Sequence, residues 1–78
     1  VPPIPRIPAS LAVKAFQKAG WVVARIKGSH HILIKPGSPL TLSIPDHGKE
    51  TVGLGLLKRQ ISNAGLTVEE FIALLDEL

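Results

Sequence analysis

Along the chain the spacing of apolar residues changes repeatedly, and each change marks an element. Leu11, Ala12, Ala15, Phe16 and Ala19 recur at helical spacing, while Lys14, Gln17 and Lys18 take the opposite face. Ser10 is suited to N-cap this helix, and Gly20 stands where a helix ordinarily stops. Residues 21–27 are then rich in β-branched and aromatic side chains, and Gly28-Ser29 is a tight hairpin signal. Residues 30–35 read as a second strand, Pro36-Gly37-Ser38-Pro39 as a turn, and residues 40–44 as a third strand. From about Val52 the helical period returns. Leu54, Leu57, Ile61 and Ala64 share one face there, and Lys58, Arg59 and Ser62 the other, with Gly65 ending the helix. Thr67-Val68-Glu69-Glu70 is a capping box with Leu66 and Phe71 placed as its hydrophobic staple. It opens a last helix carrying Phe71, Leu74, Leu75 and Leu78.

The order α-β-β-β-α-α predicts an α+β fold. Short links make the three strands an antiparallel meander, with helices on one face and a short extra C-terminal helix. Residues 1–8 hold four prolines, which are excluded from helix interiors and central strands. The expected division is a proline-rich arm over residues 1–9 and a single domain over residues 10–78.

Composition narrows the class. With 45% hydrophobic residues the 78-residue chain has enough apolar material for a packed domain. It has no cysteine, so neither a disulfide nor a thiolate metal site is expected, and a reducing, cytoplasmic location fits. No apolar run approaches the roughly 18 residues of a membrane span, so no membrane association is expected. All nine Lys and Arg fall within residues 1–59, opposed only by Asp46 and Glu50. Residues 60–78 carry Glu69, Glu70, Asp76 and Glu77 and no base. A cationic body suits a polyanion, nucleic acid first, although a net charge of +3 is also ordinary solubility charge.

The candidate chemistry lies in the histidines. His30, His31 and His47 all sit at or beside turns, and histidine is the side chain best suited to proton transfer near neutral pH. His30 and His31 are adjacent on a strand and so face apart, His30 with Ile32 and Ile34, His31 with Leu33 and Lys35. They therefore do not make a shared metal site, and no metal or other cofactor is expected. For the same reason Ser29 and His30 are not a dyad. Lys27, Lys35, Lys49, Lys58 and Arg59 border the same loop region or the helix after it, where Gly53 and Gly55 leave amides open. Two readings of this set stay open. One is a phosphate-holding surface beside His30; the other is a solvated helix face and an ordinary, partly exposed strand histidine. Phe16 and Phe71 are expected in the core, so base stacking has little support.

Several segments, in order, carry a family resemblance. They are Ala19-Gly20-Trp21, Lys27-Gly28-Ser29-His30-His31-Ile32, Ile44-Pro45 with His47 and Gly48, Gly55-Leu56-Leu57-Lys58-Arg59, and Ala64-Gly65-Leu66-Thr67-Val68-Glu69-Glu70-Phe71. With these, residues from about 10 to 75 resemble the HicA family of bacterial toxin ribonucleases. The resemblance implies a double-stranded-RNA-binding-like fold. It also implies mRNA cleavage on or off the ribosome, growth arrest and neutralisation by a HicB-type antitoxin; with no metal site readable in the sequence, the expected cleavage is metal-independent and blocks translation. It makes the histidine directly after Gly-Ser, here His30, the catalytic residue, with His47 the candidate second acid or base. The RNA contacts expected with it are Lys27, Ser29, His31, Lys35, Lys49, Lys58 and Arg59. The chain departs from the family in having Leu54-Gly55-Leu56 where Pro-Gly-Thr is common, in Gln60 and Ser62 on a helix that is often more basic, and in its proline-rich arm. The alternatives are a non-catalytic RNA-binding module of the same fold, and a protein-interaction domain using the acidic last helix or the arm.

Overall fold

The computed structural model describes residues 3–48 and 50–78. Its elements are α1 (Ala9–Lys18), β1 (Val22–Lys27), β2 (His30–Ile34), β3 (Leu42–Pro45), α2 (Leu54–Asn63) and α3 (Val68–Asp76). The strands form one antiparallel sheet in the order β1-β2-β3, the expected meander. This is the α-β-β-β-α arrangement of a double-stranded-RNA-binding-like fold, with α3 added.

One sheet face is covered and the other is open. Leu33, Leu42 and Ile44 point to the covered face and are fully buried with Phe16, Leu57 and Phe71. Phe16 of α1 and Phe71 of α3 stack with ring centroids 5.0 Å apart, in a tilted arrangement favourable for aromatic pairs. Trp21 also lies in this core, at 2% exposure.

Both sequence-predicted helix stops are made by hydrogen bonds as well as by composition. At the end of α1 Trp21 N donates to Phe16 O (3.1 Å) and Gly20 N to Gln17 O (3.0 Å). At the end of α2 Leu66 N donates to Ile61 O (3.1 Å) and Gly65 N to Ser62 O (3.0 Å). Each is a Schellman closure that satisfies carbonyls the helix would leave unpaired. The capping box of α3 is also present: Glu70 N donates to Thr67 Oγ1 (3.1 Å), and Thr67 N to Glu70 Oε1 (2.9 Å).

The helix starts differ from expectation. The N-cap of α1 is Pro8, without a side-chain cap, and Ser10 is an exposed first-turn residue. The preceding residues explain this. Ile7 is buried and its carbonyl accepts from Val52 N (2.8 Å), while Pro8 bridges Thr51. The end of the arm is thus pinned to the segment before α2, and the chain enters the helix already packed. The same bridge delays α2 from Val52 to Leu54, because Val52 is committed to Ile7.

Pairing across the sheet resolves where each side chain points. The bond from Asp46 N to Ser29 O (2.6 Å) makes His30–Pro45 a non-hydrogen-bonded pair. By alternation Ile32–Ser43 is another, so Ser43 N points out of the sheet edge. There it donates to Oε1 of Gln60, a residue only 6% exposed (3.3 Å). Pro45 costs the ladder nothing, since its nitrogen faces away from β2. β1 carries a register shift between Val23 and Arg25. This bulge at Ala24 changes the parity of the strand, placing Val23 against the core and Val22, Arg25 and Lys27 on the open face.

Candidate active site

His30 is the first residue of β2, and the turn before it decides how it is presented. The loop between Lys27 and His30 has two residues, Gly28 and Ser29. Gly28 has φ +62° and among the described residues, Ser29 included, no non-glycine has positive φ, so the turn belongs to the type II′ class with glycine at its first central position. That turn twists in the sense of the strands and holds Lys27 and His30 as a closing pair.

Three side chains consequently share one row of the open face. His30 lies between Lys27 on β1 and Pro45 on β3. Paired Cα atoms in such rows are about 5.5 Å apart on the hydrogen-bonded side and about 4.5 Å on the other. His30 and Lys27 are both exposed. The next row along the sheet is Arg25, Ile32 and Ser43, and the third holds Val22 and Ile34. The hairpin end also projects beyond the helical layer. Ile26 faces the covered side by register yet is 61% exposed, so no helix reaches it.

The other candidate residues fall in different places. His31 faces the covered side between Ile26 and Ile44, half-buried, with Nδ1 buried and without a hydrogen-bond partner among the described residues. The expected separation of the two adjacent histidines is therefore observed. Ser29 is in the turn, half-buried, its carbonyl holding Asp46 N. His47 follows directly and is exposed, so this bond brings its loop beside the hairpin tip. Gly48 N donates to Asp46 Oδ1 (3.0 Å) and shapes the loop. Lys35 does not join the group: it lies at the far end of β2, about 17 Å along the strand from His30. Its Cε would be 3.2 Å from a Cβ placed on Gly20, so its side chain lies over the end of α1. Lys58 and Arg59 are exposed on α2, in the helical layer and on the other side of the sheet from the His30 side chain. Lys49 falls outside the described residues.

The site is a surface row and not a cavity. Two apolar grooves, about 600 and 520 Å³, lie elsewhere, both against α3. The first is walled by Pro3, Pro5 and Ile7 of the arm with Leu11, Ile72 and Leu75; the second includes Leu66, Ala73 and Leu74. An exposed row suits a long polymer, which needs no enclosure to meet a side chain. Among the described residues no group of three or more His, Asp or Glu side chains is arranged to hold a metal ion, and no helix is long and apolar enough to cross a membrane.

Sequence reasoning passed over Arg25 and Gln60. Arg25 stands two residues before Lys27, and simple alternation back from Lys27 identifies it as a neighbour on the same face. Gln60 had no readable signal, since its role depends on the outward amide of Ser43.

Residues 10–66 match the family model for the HicA toxin of bacterial toxin–antitoxin systems. The match runs from α1 through α2 and includes every element that builds the histidine row. The arm and α3 lie outside it. No curated protein matches the chain.

Proposed function

The chain belongs to the HicA toxin family, and from that premise we propose that it is a metal-independent endoribonuclease that cleaves mRNA with His30 as its proton-transfer residue. The supporting observation is the row itself: an exposed histidine at a projecting hairpin tip, with a lysine directly across the strand pair.

RNA carries its own nucleophile. The ribose 2′-oxygen attacks the adjacent phosphorus, the 2′-O–P bond forms, and the P–O5′ bond breaks to leave a 2′,3′-cyclic phosphate and a 5′-hydroxyl. The 2′-hydroxyl proton must leave and the 5′-oxygen must gain one. His30 serves one of these transfers, a role typically worth about 10²–10⁴-fold in rate. His47, on the loop tied to Ser29, is the candidate for the other. Lys27 stabilises the charge that gathers on the phosphate oxygens. In this reading a HicB-type antitoxin neutralises the toxin by covering the open-face row, and the chain acts in the cytoplasm, where mRNA is found.

The test is induced expression of the wild type and His30→Ala in a host without antitoxin, following growth and mRNA integrity together. Growth arrest with fragmented mRNA is expected for the wild type, and loss of both for the variant. Undiminished toxicity of a folded His30→Ala protein would remove His30 from the mechanism. RNA retention without cleavage products in the wild type would favour the non-catalytic module.

A further inference from the structure

The rows of the open face form a graded surface. At the hairpin end are Lys27, His30 and Pro45; then come Arg25, Ile32 and Ser43; then Val22 and Ile34, which are 55% and 45% exposed. Cation and histidine thus give way to aliphatic side chains along one uncovered face. Arg25 lies on the diagonal from His30, about 7–8 Å away between Cα atoms. Successive rows are about 6.7 Å apart, comparable to the advance of one nucleotide in an extended strand.

We propose that this face is a track for single-stranded RNA, with Arg25 holding the phosphate next to the one at His30 and Lys27, and with Val22, Ile32 and Ile34 covering the neighbouring nucleoside. The proposal deepens the ribonuclease reading and rests on it. The charge pattern supports it: phosphates need Lys27 and Arg25, while sugar and base edges gain from apolar contact. Shape supports it as well. A rigid duplex touches a three-stranded sheet face along a narrow line, whereas an extended strand can follow the rows. The reaction adds a third reason, because in-line attack by the 2′-oxygen requires the backbone to leave the A-form geometry a duplex enforces. With no Phe, Tyr or Trp on this face and His30 its one aromatic ring, base readout by stacking has little platform, and contact is weakly sequence-selective.

The experiment measures binding of a short, labelled 2′-O-methyl RNA, which cannot be cleaved, as a single strand and as a duplex over a range of salt. The proteins are the wild type, Arg25→Ala, Arg25→Lys, Ile34→Ser and Lys14→Ala, each checked for folding by circular dichroism. Arg25→Ala should weaken single-strand binding and lower the magnitude of the salt slope by about 0.7, the value for one lost phosphate contact. Arg25→Lys should restore the slope. Ile34→Ser should weaken binding about fivefold with the slope unchanged. Lys14→Ala, on the outer face of α1, should be neutral. A duplex that binds as tightly as the single strand overturns the track. So does wild-type binding by both Arg25→Ala and Ile34→Ser. Loss at Arg25 with Ile34 neutral reduces the face to an isolated phosphate contact and also overturns it. In each of these cases cleavage by the wild type leaves the ribonuclease reading standing. A wild type that neither binds nor cleaves RNA at low salt overturns both.

Discussion

At the level of single residues the site depends on the backbone freedom of Gly28. Its φ of +62° is open to glycine without strain, whereas an L side chain in this part of φ/ψ space costs about 1–3 kcal/mol. No atom lies within 4 Å of a Cβ built at this position, so the cost of Gly28→Ala is conformational and not steric. The variant should lose that amount in urea denaturation and should cleave RNA more slowly, because the turn sets the Lys27–His30 row. Stability equal to the wild type would show that the hairpin can adopt another turn. His30 and His31 show how far residue-scale reading goes. Alternation alone separates them, and the structure agrees: His30 is exposed on the open face, and His31 is half-buried on the covered one. Lys35 marks the limit. Being near His30 in sequence did not place it near His30 in space, because an extended strand carries its ends far apart.

At the level of elements, local signals were readable wherever the partner was also local. The capping box at Thr67 and Glu70 and the glycine stops at Gly20 and Gly65 involve residues within one or two turns of each other, and all are present. Thr67→Ala should cost about 1 kcal/mol, seen as a lower urea midpoint with an unchanged slope. No shift would mean that α3 is held by packing alone. Ser10 failed as a cap for the converse reason. The start of α1 is set by a distant contact, the bond from Val52 N to Ile7 O, which no local pattern announces. The bulge in β1 is similar, since only pairing with β2 reveals that Val23 and not Val22 faces the core.

At the level of the whole molecule, α3 lies beyond the family match but is part of the core. Phe71 is fully buried and stacks on Phe16 of α1. Phe71→Ala should destabilise the fold by about 3–5 kcal/mol, a large share of what a domain this small can hold. Thermal denaturation reads this directly, and RNA cleavage well below the new midpoint should persist, because α3 packs on α1 and α2 while His30 emerges on the opposite sheet face. A midpoint unchanged by the substitution would show α3 to be a detachable appendage.

The histidine row thus has two origins. Periodicity, turn chemistry and capping residues determined the order of elements, the meander, and the opposite facing of His30 and His31, since each rests on interactions within a few residues. The order of motifs carries the family resemblance in the sequence itself. Only the tertiary structure decided which sheet face the helices leave open, so that the Lys27 and Arg25 face readable by alternation is the uncovered one, that Gln60 closes the β3 edge, and that Lys35, Lys58 and Arg59 stand apart from the row. These depend on strand register and layer packing, which bring together residues distant in the chain and carry no local sequence signature.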